Sequence, residues 1–336
     1  MRVTIRDIAR RVQVSKTLVS LYLNNHPLSA KISTKTKERI DEAVRELGYR
    51  PSYVARALAK GRTGTIGMIV TNIRDPFSYY LVDLAMREIE KDRRQLMMMV
   101  TNWKKENRLR CLENLLENRV DGVLCCVDFP NDNPFYEEFK FRRFPLVCVN
   151  RFHPDFSCVY NDFSGAVAEA LEFLAGLGAK SLYLISGRKN EMIRVVKEHA
   201  DSYGLRLTLS RSVVEDSDLE AVCRTVLRRR PPFLFLTNCR AARILVREIR
   251  EAGISYDPKI VTVYTLPSDL IEDSRIVGAI QYNFSPLITG GLEILNRQLE
   301  HPETAEREER ILPARFLKQE QFGELETLGR YNFRTS

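Results

Sequence analysis

The chain has 336 residues, 44% hydrophobic and 29% charged, with a formal net charge of +8; this composition excludes a disordered or fibrous chain and allows a small module plus a core of two subdomains. The charge is unevenly placed, because residues 1–63 hold 14 Lys and Arg against 5 Asp and Glu, leaving 38 against 39 for the other 273. A basic N-terminal fifth is the electrostatic footprint of a module that docks on phosphates, and its ordered hydrophobic pattern argues against a solvated tail.

In chain order, Thr4 with Asp7 three residues on resembles a capping box, and Ile5, Ile8, Ala9 and Val12 then recur at helical spacing. Gln13 and Val14 make a tight turn. Ser15 caps a second helix whose apolar face is Leu18, Val19, Tyr22 and Leu23, while Lys16, Thr17, Ser20, Leu21 and Asn24 lie opposite. Helix, short turn and helix is the helix-turn-helix arrangement, whose second helix enters the major groove. Lys16 can donate to guanine O6 or N7, and Thr17 can bond base edges or phosphate. Leu21 either presses on a thymine methyl or belongs to the small core. Ser20 and the helix N-terminus hold phosphates. Thr4, Arg6, Ser15, Lys16, Thr17, Ser20, Leu21 and Asn24 are thus the candidate DNA-contacting residues of the module.

A loop, NNHPLSAK, leads to a third helix capped by Ser33, with Ile32 as a hydrophobic staple and Ile40, Ala43, Val44 and Leu47 on its apolar face. Lys31, Lys35, Lys37 and Arg39 crowd its beginning, where they reach phosphates or are simply solvated. In YRPSYVARALAKGRTG, Pro51 bars helix before it and Ser52 caps a short segment presenting Val54, Ala55, Leu58 and Ala59. So short a helix needs a partner to persist.

Past Thr65 the pattern alternates strand and helix. IGMIVT, LMMMVT, VDGVLCCV and FPLVCVN are strand-like, with LVDLAMREIEKDR and RLRCLENLLENR as helices between them. A second run follows: SGAVAEALEFLAGLG, LYLISG, AVCRTVLRRR, PFLFLTN, AARILVREIREAG and KIVTVYT. Twice-repeated alternation implies two Rossmann-like subdomains. A ligand would sit at strand-end loops between them.

TIRDIARRVQVSKTLVSLYLN, followed by ISTKTKERIDEAVRELGYRPSYVARALAKGRTGTIGMIV, closely resembles the N-terminus of the lactose-repressor (LacI/GalR) family. The ordered set VS-x-T-x-VS-x-x-x-N, ELGY-x-P, VA-x-x-L and the IG strand carries the resemblance. CLENLLENRVDGVLCC and NPFYEEF are similar to its fructose-repressor branch. The resemblance implies a homodimer on a double-stranded, pseudo-palindromic DNA operator. It also implies a hinge helix in the minor groove, with Leu58 wedged between central bases, Ala55 and Ala59 allowing close approach, and Tyr53 beside them. The implied fold class is an N-terminal all-α helix-turn-helix module with hinge helix, then an α/β periplasmic-binding-protein-like domain. The boundaries are 1–50 for the module, 51–63 for hinge and linker, and 64–336 for the effector-binding and dimerisation domain. Within it, one subdomain spans about 64–161 plus 283–312 and the other about 162–281 plus 314–336. Chain crossings are implied near Asn161–Asp162, Gln281–Pro286 and Leu312–Arg315.

Candidate effector-binding residues are Phe77, Asn150, Arg151, Asp162, Lys197 and Asn238. By resemblance, Lys197 stands where most members have an arginine, so a cation survives without the bidentate fork. Arg151 can stack on or bond an anion. Both also read as ordinary surface charge. Asn238-Cys239 replaces the usual Asn-Asp, and Val-Tyr-Thr-Leu at 263–266 replaces a motif ending in Asp. Two departures also mark the module: Val12-Gln13 in place of Ala-Gly or Ala-Asn, and a longer loop from Asn25 to Lys31. Either a sugar phosphate or other anion is bound, or the effector pocket has degenerated and the domain serves dimerisation or protein binding.

The seven cysteines form no C-x-x-C pair and read as buried free thiols, and the four histidines show no metal or nucleophile-base spacing. No cofactor, metal or enzymatic activity is expected. The polar start MRVTIRDIARR and the absence of any long apolar run lead to an expected cytoplasmic location without membrane contact. The function expected is that of a sequence-specific transcriptional regulator, a repressor under small-metabolite control.

Overall fold

A computed structural model describes residues 3–24, 26–49, 62–74, 76–117, 120–128, 136–141, 143–186, 191–210, 216–237, 239–263 and 268–324. The chain forms two compact units, one of residues 1–65 with 118–121 and a second holding the remainder.

The first unit contains α1 (Ile5–Val12), α2 (Lys16–Leu23), a 3-10 turn (Pro27–Lys31) and α3 (Thr34–Glu46). Ile8, Ala9, Val12, Val19, Ile40, Ala43 and Tyr49 form its core, flanked by Leu18, Tyr22, Leu23, Val44 and Leu47. These are the apolar faces expected from the spacing. The cap residues act as expected too. The Thr4 N–H and hydroxyl both donate to Asp7 Oδ2, at 2.9 and 2.7 Å. Ser15 Oγ accepts from Leu18 N–H at 3.1 Å, and Ser33 Oγ from Thr36 N–H at 3.3 Å. The segment read as a loop contains ordered 3-10 structure instead. Pro27 stands in its first turn and the His26 ring caps it by accepting from Leu28 N–H at 3.2 Å, a local device that hydrophobic periodicity does not reveal.

The second unit holds two six-stranded sheets. The first is built from β1 (Thr65–Val70), β2 (Gln95–Val100), β3 (Gly122–Cys125), β4 (Leu146–Val149), β5 (Ser157–Asp162) and β11 (Glu309–Pro313), in the order β11-β5-β4-β3-β1-β2. The second contains β6 (Ser181–Ile185), β7 (Arg206–Leu209), β8 (Phe233–Leu236), β9 (Lys259–Val263), β10 (Ile276–Gln281) and β12 (Arg315–Lys318), in the order β12-β10-β9-β8-β6-β7. The pairs β1–β3, β3–β4, β4–β5 and β5–β11 are parallel, as are β6–β7, β6–β8, β8–β9 and β9–β10; β10–β12 is antiparallel.

Helices α4 (Pro76–Lys91), α5 (Lys105–Glu117), α6 (Tyr136–Phe141) and α12 (Phe284–Glu300) belong with the first sheet in chain order. α7 (Ser164–Gly176), α8 (Glu191–Ala200), α9 (Asp216–Arg229), α10 (Cys239–Glu251) and α11 (Ser268–Ile271) belong with the second. Parallel strands need such crossovers, and covering both sheet faces explains why β1, β3 and β4 are buried along their whole length. Gly278 has no alternative on β10, since a Cβ there would lie 2.5 Å from the Phe316 ring of β12. All seven cysteines are buried free thiols. Among the described residues no cluster of His, Cys, Asp or Glu could hold a metal, and no helix is long and apolar enough to cross a membrane.

The chain passes between the sheets three times. It leaves β5 for α7, returns from β10 through Asn283 to α12, and crosses again from β11 through Ala314 to β12.

Candidate functional site

Helix α2 turns one side to the core and the other outward. Val19 is fully buried, with Leu18, Tyr22 and Leu23 packed beside it. A helix advances 100° per residue, so Thr17, Ser20, Leu21 and Asn24 lie on the side away from Val19, while Lys16, the first helical residue, flanks the core face. Ser15, Lys16 and Thr17 are exposed, and Ser20, Leu21 and Asn24 half-buried. Among the described residues, Leu21 is absent from the apolar side chains that pack on the module core, which favours an outward role. Asn24 Nδ2 donates back to the Ser20 carbonyl at 2.9 Å and to its hydroxyl at 3.2 Å, fixing both side chains on the last turns of α2. No acidic residue occupies the first turn of α2, so its unpaired N–H groups and Lys16 together favour an anion. Thr4 and Arg6 are exposed at the start of α1. Tyr53, Ala55, Leu58 and Ala59 lie outside the described residues.

Two basic or polar groups of the module are structural. The Arg39 guanidinium donates to the Val12 carbonyl at 2.7 Å, so it closes the C-terminus of α1 instead of waiting for phosphate or solvent. Tyr22 donates its hydroxyl to Asp41 Oδ2 at 2.7 Å, and that bond to a carboxylate raises the phenol's pKa above its ordinary value. Gln13 closes α1 in the left-handed region, at φ 58° and ψ 47°.

Among the candidate effector residues, Asn150 and Asp162 fall at carboxyl ends of parallel strands, whereas Phe77 and Lys197 lie on helices. Phe77 is half-buried at the start of α4, with ring centroids 5.5 Å from Tyr282 and 5.4 Å from Phe284. Asn150 follows β4 in the left-handed region at φ 58°. Its Oδ1 accepts from Asn161 Nδ2 at 3.4 Å. Arg151 Nε donates to Asp128 Oδ1 at 3.1 Å, and its terminal nitrogen to the Asn150 carbonyl at 2.8 Å. Asp162 Oδ1 accepts from Ser164 N–H at 2.9 Å, starting α7. Lys197 is exposed in the last turn of α8. Two residues on, His199 Nε2 shares a 2.9 Å hydrogen bond with Ser164 Oγ, so that turn reaches the neighbourhood of Asp162. Asn238 lies outside the described residues; beside it, Thr237 Oγ1 and Ser186 Oγ form a buried 3.0 Å pair at the ends of β8 and β6.

Asn150, Arg151 and Asp162 are therefore gathered in one hydrogen-bonded neighbourhood, but much of their polarity is spent within the protein. Sequence reading missed Asn283, which donates its backbone N–H and Nδ2–H to Asn161 Oδ1 at 3.0 and 3.2 Å. It also missed Asp121, whose carboxylate accepts from Thr63 N–H and Gly64 N–H, both at 2.6 Å, and from the Thr63 hydroxyl at 2.9 Å. Neither residue belongs to an amphipathic pattern, and only the folded chain brings their partners near.

The chain thus joins a helix-turn-helix module, with an exposed polar face on its second helix, to a two-sheet α/β domain of the periplasmic-binding-protein-like class whose chain crosses three times. Residues 4–52 match the family model of bacterial regulatory proteins, lacI family. The chain is 30% identical over 145 residues to the catabolite repressor/activator of Escherichia coli, and the match spans 43% of each protein, less than half the length of that relative. The Lac repressor bound to ONPG in its repressed state has the same fold, with a TM-score of 0.79 at 18% identity, covering 95% of this chain and 99% of that one. The Cra transcriptional dual regulator from Pseudomonas putida, solved with fructose 1-phosphate, superposes with a TM-score of 0.68 at 14% identity, covering 76% of this chain and 98% of that one. The helix-turn-helix module and the α/β periplasmic-binding-protein-like domain expected from the sequence are found, and the expected hinge helix lies outside the described residues.

Proposed function

We propose that the chain is a transcriptional regulator, a repressor that binds a pseudo-palindromic DNA operator as a homodimer in the cytoplasm and performs no catalysis. The observation that carries this reading is the start and outward face of α2, which present Lys16, Thr17 and Leu21 above a packed three-helix core. Thr4, Arg6, Ser15, Ser20 and Asn24 fix the helix on the backbone, and Leu58 with Tyr53, Ala55 and Ala59 enters the minor groove.

The test is selection of bound sequences from randomised double-stranded DNA by the full chain. An enriched pseudo-palindrome is expected. Lys16→Ala should weaken its binding by roughly 10- to 100-fold and relax the preference at one base pair, as loss of about 1–3 kcal/mol of base contact requires. Failure to enrich any sequence overturns the reading.

Residues 64–336 are the sensor in this proposal, with subdomains of about 64–161 plus 283–312 and about 162–281 plus 314–336. Phe77, Asn150, Arg151, Asp162, Lys197 and Asn238 face the effector, an anion such as a sugar phosphate. Fructose 1-phosphate, bound by the Cra relative, is the first titrant. Calorimetry with no heat of binding, and no change in operator affinity, would leave dimerisation as the domain's role. A specific observation favours that second reading: Asn150 and Asp162 already serve internal hydrogen bonds.

The homodimer reading rests on an apolar surface. Tyr79 and Met86 stand two helical turns apart on α4 and are 45% and 56% exposed, and Met98, on the sheet-edge strand β2, is 37% exposed. A terminal sheet strand beside large exposed side chains suits a second copy of the chain.

A further inference from the structure

Asn161 sits at the end of β5, 4% exposed, where the three crossing segments run side by side. Its Oδ1 accepts both the backbone N–H and the Nδ2–H of Asn283, on the second crossing, at 3.0 and 3.2 Å. Asn283 Nδ2 also donates to the Pro313 carbonyl, on the third crossing, at 2.6 Å. Ala314 N–H returns the connection, donating to the Asp162 carbonyl on the first crossing at 2.8 Å. One buried amide thus joins the first crossing to the second, and the side chain it holds joins the second to the third.

We infer that Asn161 is the positioning residue of the hinge between the two sheet lobes, and that its doubly occupied carbonyl oxygen sets their resting angle. Rotation of one lobe on the other concentrates torsional change in the crossing segments, because the sheets are packed and stiff. Any rotation that draws Asn283 from Asn161 strips a buried acceptor of donors that water cannot replace, which disfavours the rotated state by about tenfold per bond. The aromatic rings around the clasp reinforce the same geometry. Phe163, next to Asp162, packs on Tyr282 at 4.6 Å, and Tyr282 also meets Phe77 of α4. A side chain proposed to face the effector therefore leans directly on the second crossing. The consequence for DNA rests on the proposed sensor role; the hinge assignment itself does not.

The experiment measures interlobe distance in the full chain, without DNA or effector. Nitroxides are placed at Glu106→Cys on α5 and Glu220→Cys on α9, both exposed positions in different lobes, while the seven native thiols are buried. Pulsed electron paramagnetic resonance then gives the distance distribution. Asn161→Leu should broaden it or shift its maximum by several ångströms. Asn283→Ala, at a half-buried position, should broaden it as well and covers the case in which Asn161→Leu does not fold. An unchanged distribution in folded Asn161→Leu, or in Asn283→Ala, overturns the assignment. Absence of any effector response would count against the sensor reading alone.

Discussion

Gln13 lies in the left-handed region between α1 and α2, a conformation in which a Cβ crowds the following carbonyl. Its N–H still closes the helix by donating to the Ala9 carbonyl. The sequence shows a polar residue at the turn but cannot show its sign of φ, which follows from how tightly α2 must fold back on α1. Gln13→Gly removes the crowding at some cost in unfolded-chain entropy, for a net stabilisation of about 0.5–1 kcal/mol. Amide hydrogen exchange of residues 5–12 in the full chain should slow a few-fold, and faster exchange would show that the turn is not strained. Arg39 teaches the same lesson in reverse. Its charge is visible in the sequence, but its use at the Val12 carbonyl depends on packing between α1 and α3, 27 residues apart.

At the scale of elements, legibility follows unbroken apolar runs, so that LMMMVT is readable as β2 although half-exposed. α1, α2 and α3 are readable because caps and apolar stripes agree, and β1, β3, β4, β6, β8 and β9 because buried strands read as apolar runs. β5, β7, β10, β11 and β12 escape: SCVYND and IVGAIQ are buried but broken by polar or small residues, while RLTL and ERILP are largely exposed edge strands held by backbone pairing to β6 and β5. The candidate effector residues are the least legible part, since pairings such as Asn150 with Asn161 and Arg151 with Asp128 leave no pattern in the sequence. The capping box of α1 yields a prediction with a defined pH window. The Thr4 side-chain hydrogen bond, followed by its backbone N–H, holds the Asp7 carboxyl below its ordinary value. A carboxyl whose folded pKa is depressed contributes stability that is present above the unfolded pKa and lost as pH falls through the folded one. Exchange protection of residues 5–12 should therefore hold at neutral pH and fall below about pH 4. In Asp7→Asn that acid-dependent part should be missing; an identical pH profile in the variant would remove Asp7 from the account.

At the scale of the whole molecule, reading a pseudo-palindrome requires two copies, because an isologous dimer matches its own symmetry to that of the DNA. The surface proposed for this is the outer face of α4 beside the edge of β2. Met86 is well suited to test it: it is 56% exposed, so a charge there meets solvent in an isolated chain but is forced into apolar surroundings in the dimer. Met86→Glu should therefore leave thermal unfolding of the isolated chain nearly unchanged while weakening self-association by about tenfold or more, the effect of leaving one unpaired charge in an interface. Operator affinity should fall with it, since each monomer then binds its half-site alone and loses the effective concentration supplied by its partner. Sedimentation velocity of the full chain over a concentration series reads the first effect, and binding to the selected operator reads the second. A variant that remains dimeric with full affinity would move the interface elsewhere; a monomer that still binds the whole operator with undiminished affinity would break the link between dimer and palindrome on which the regulatory reading depends.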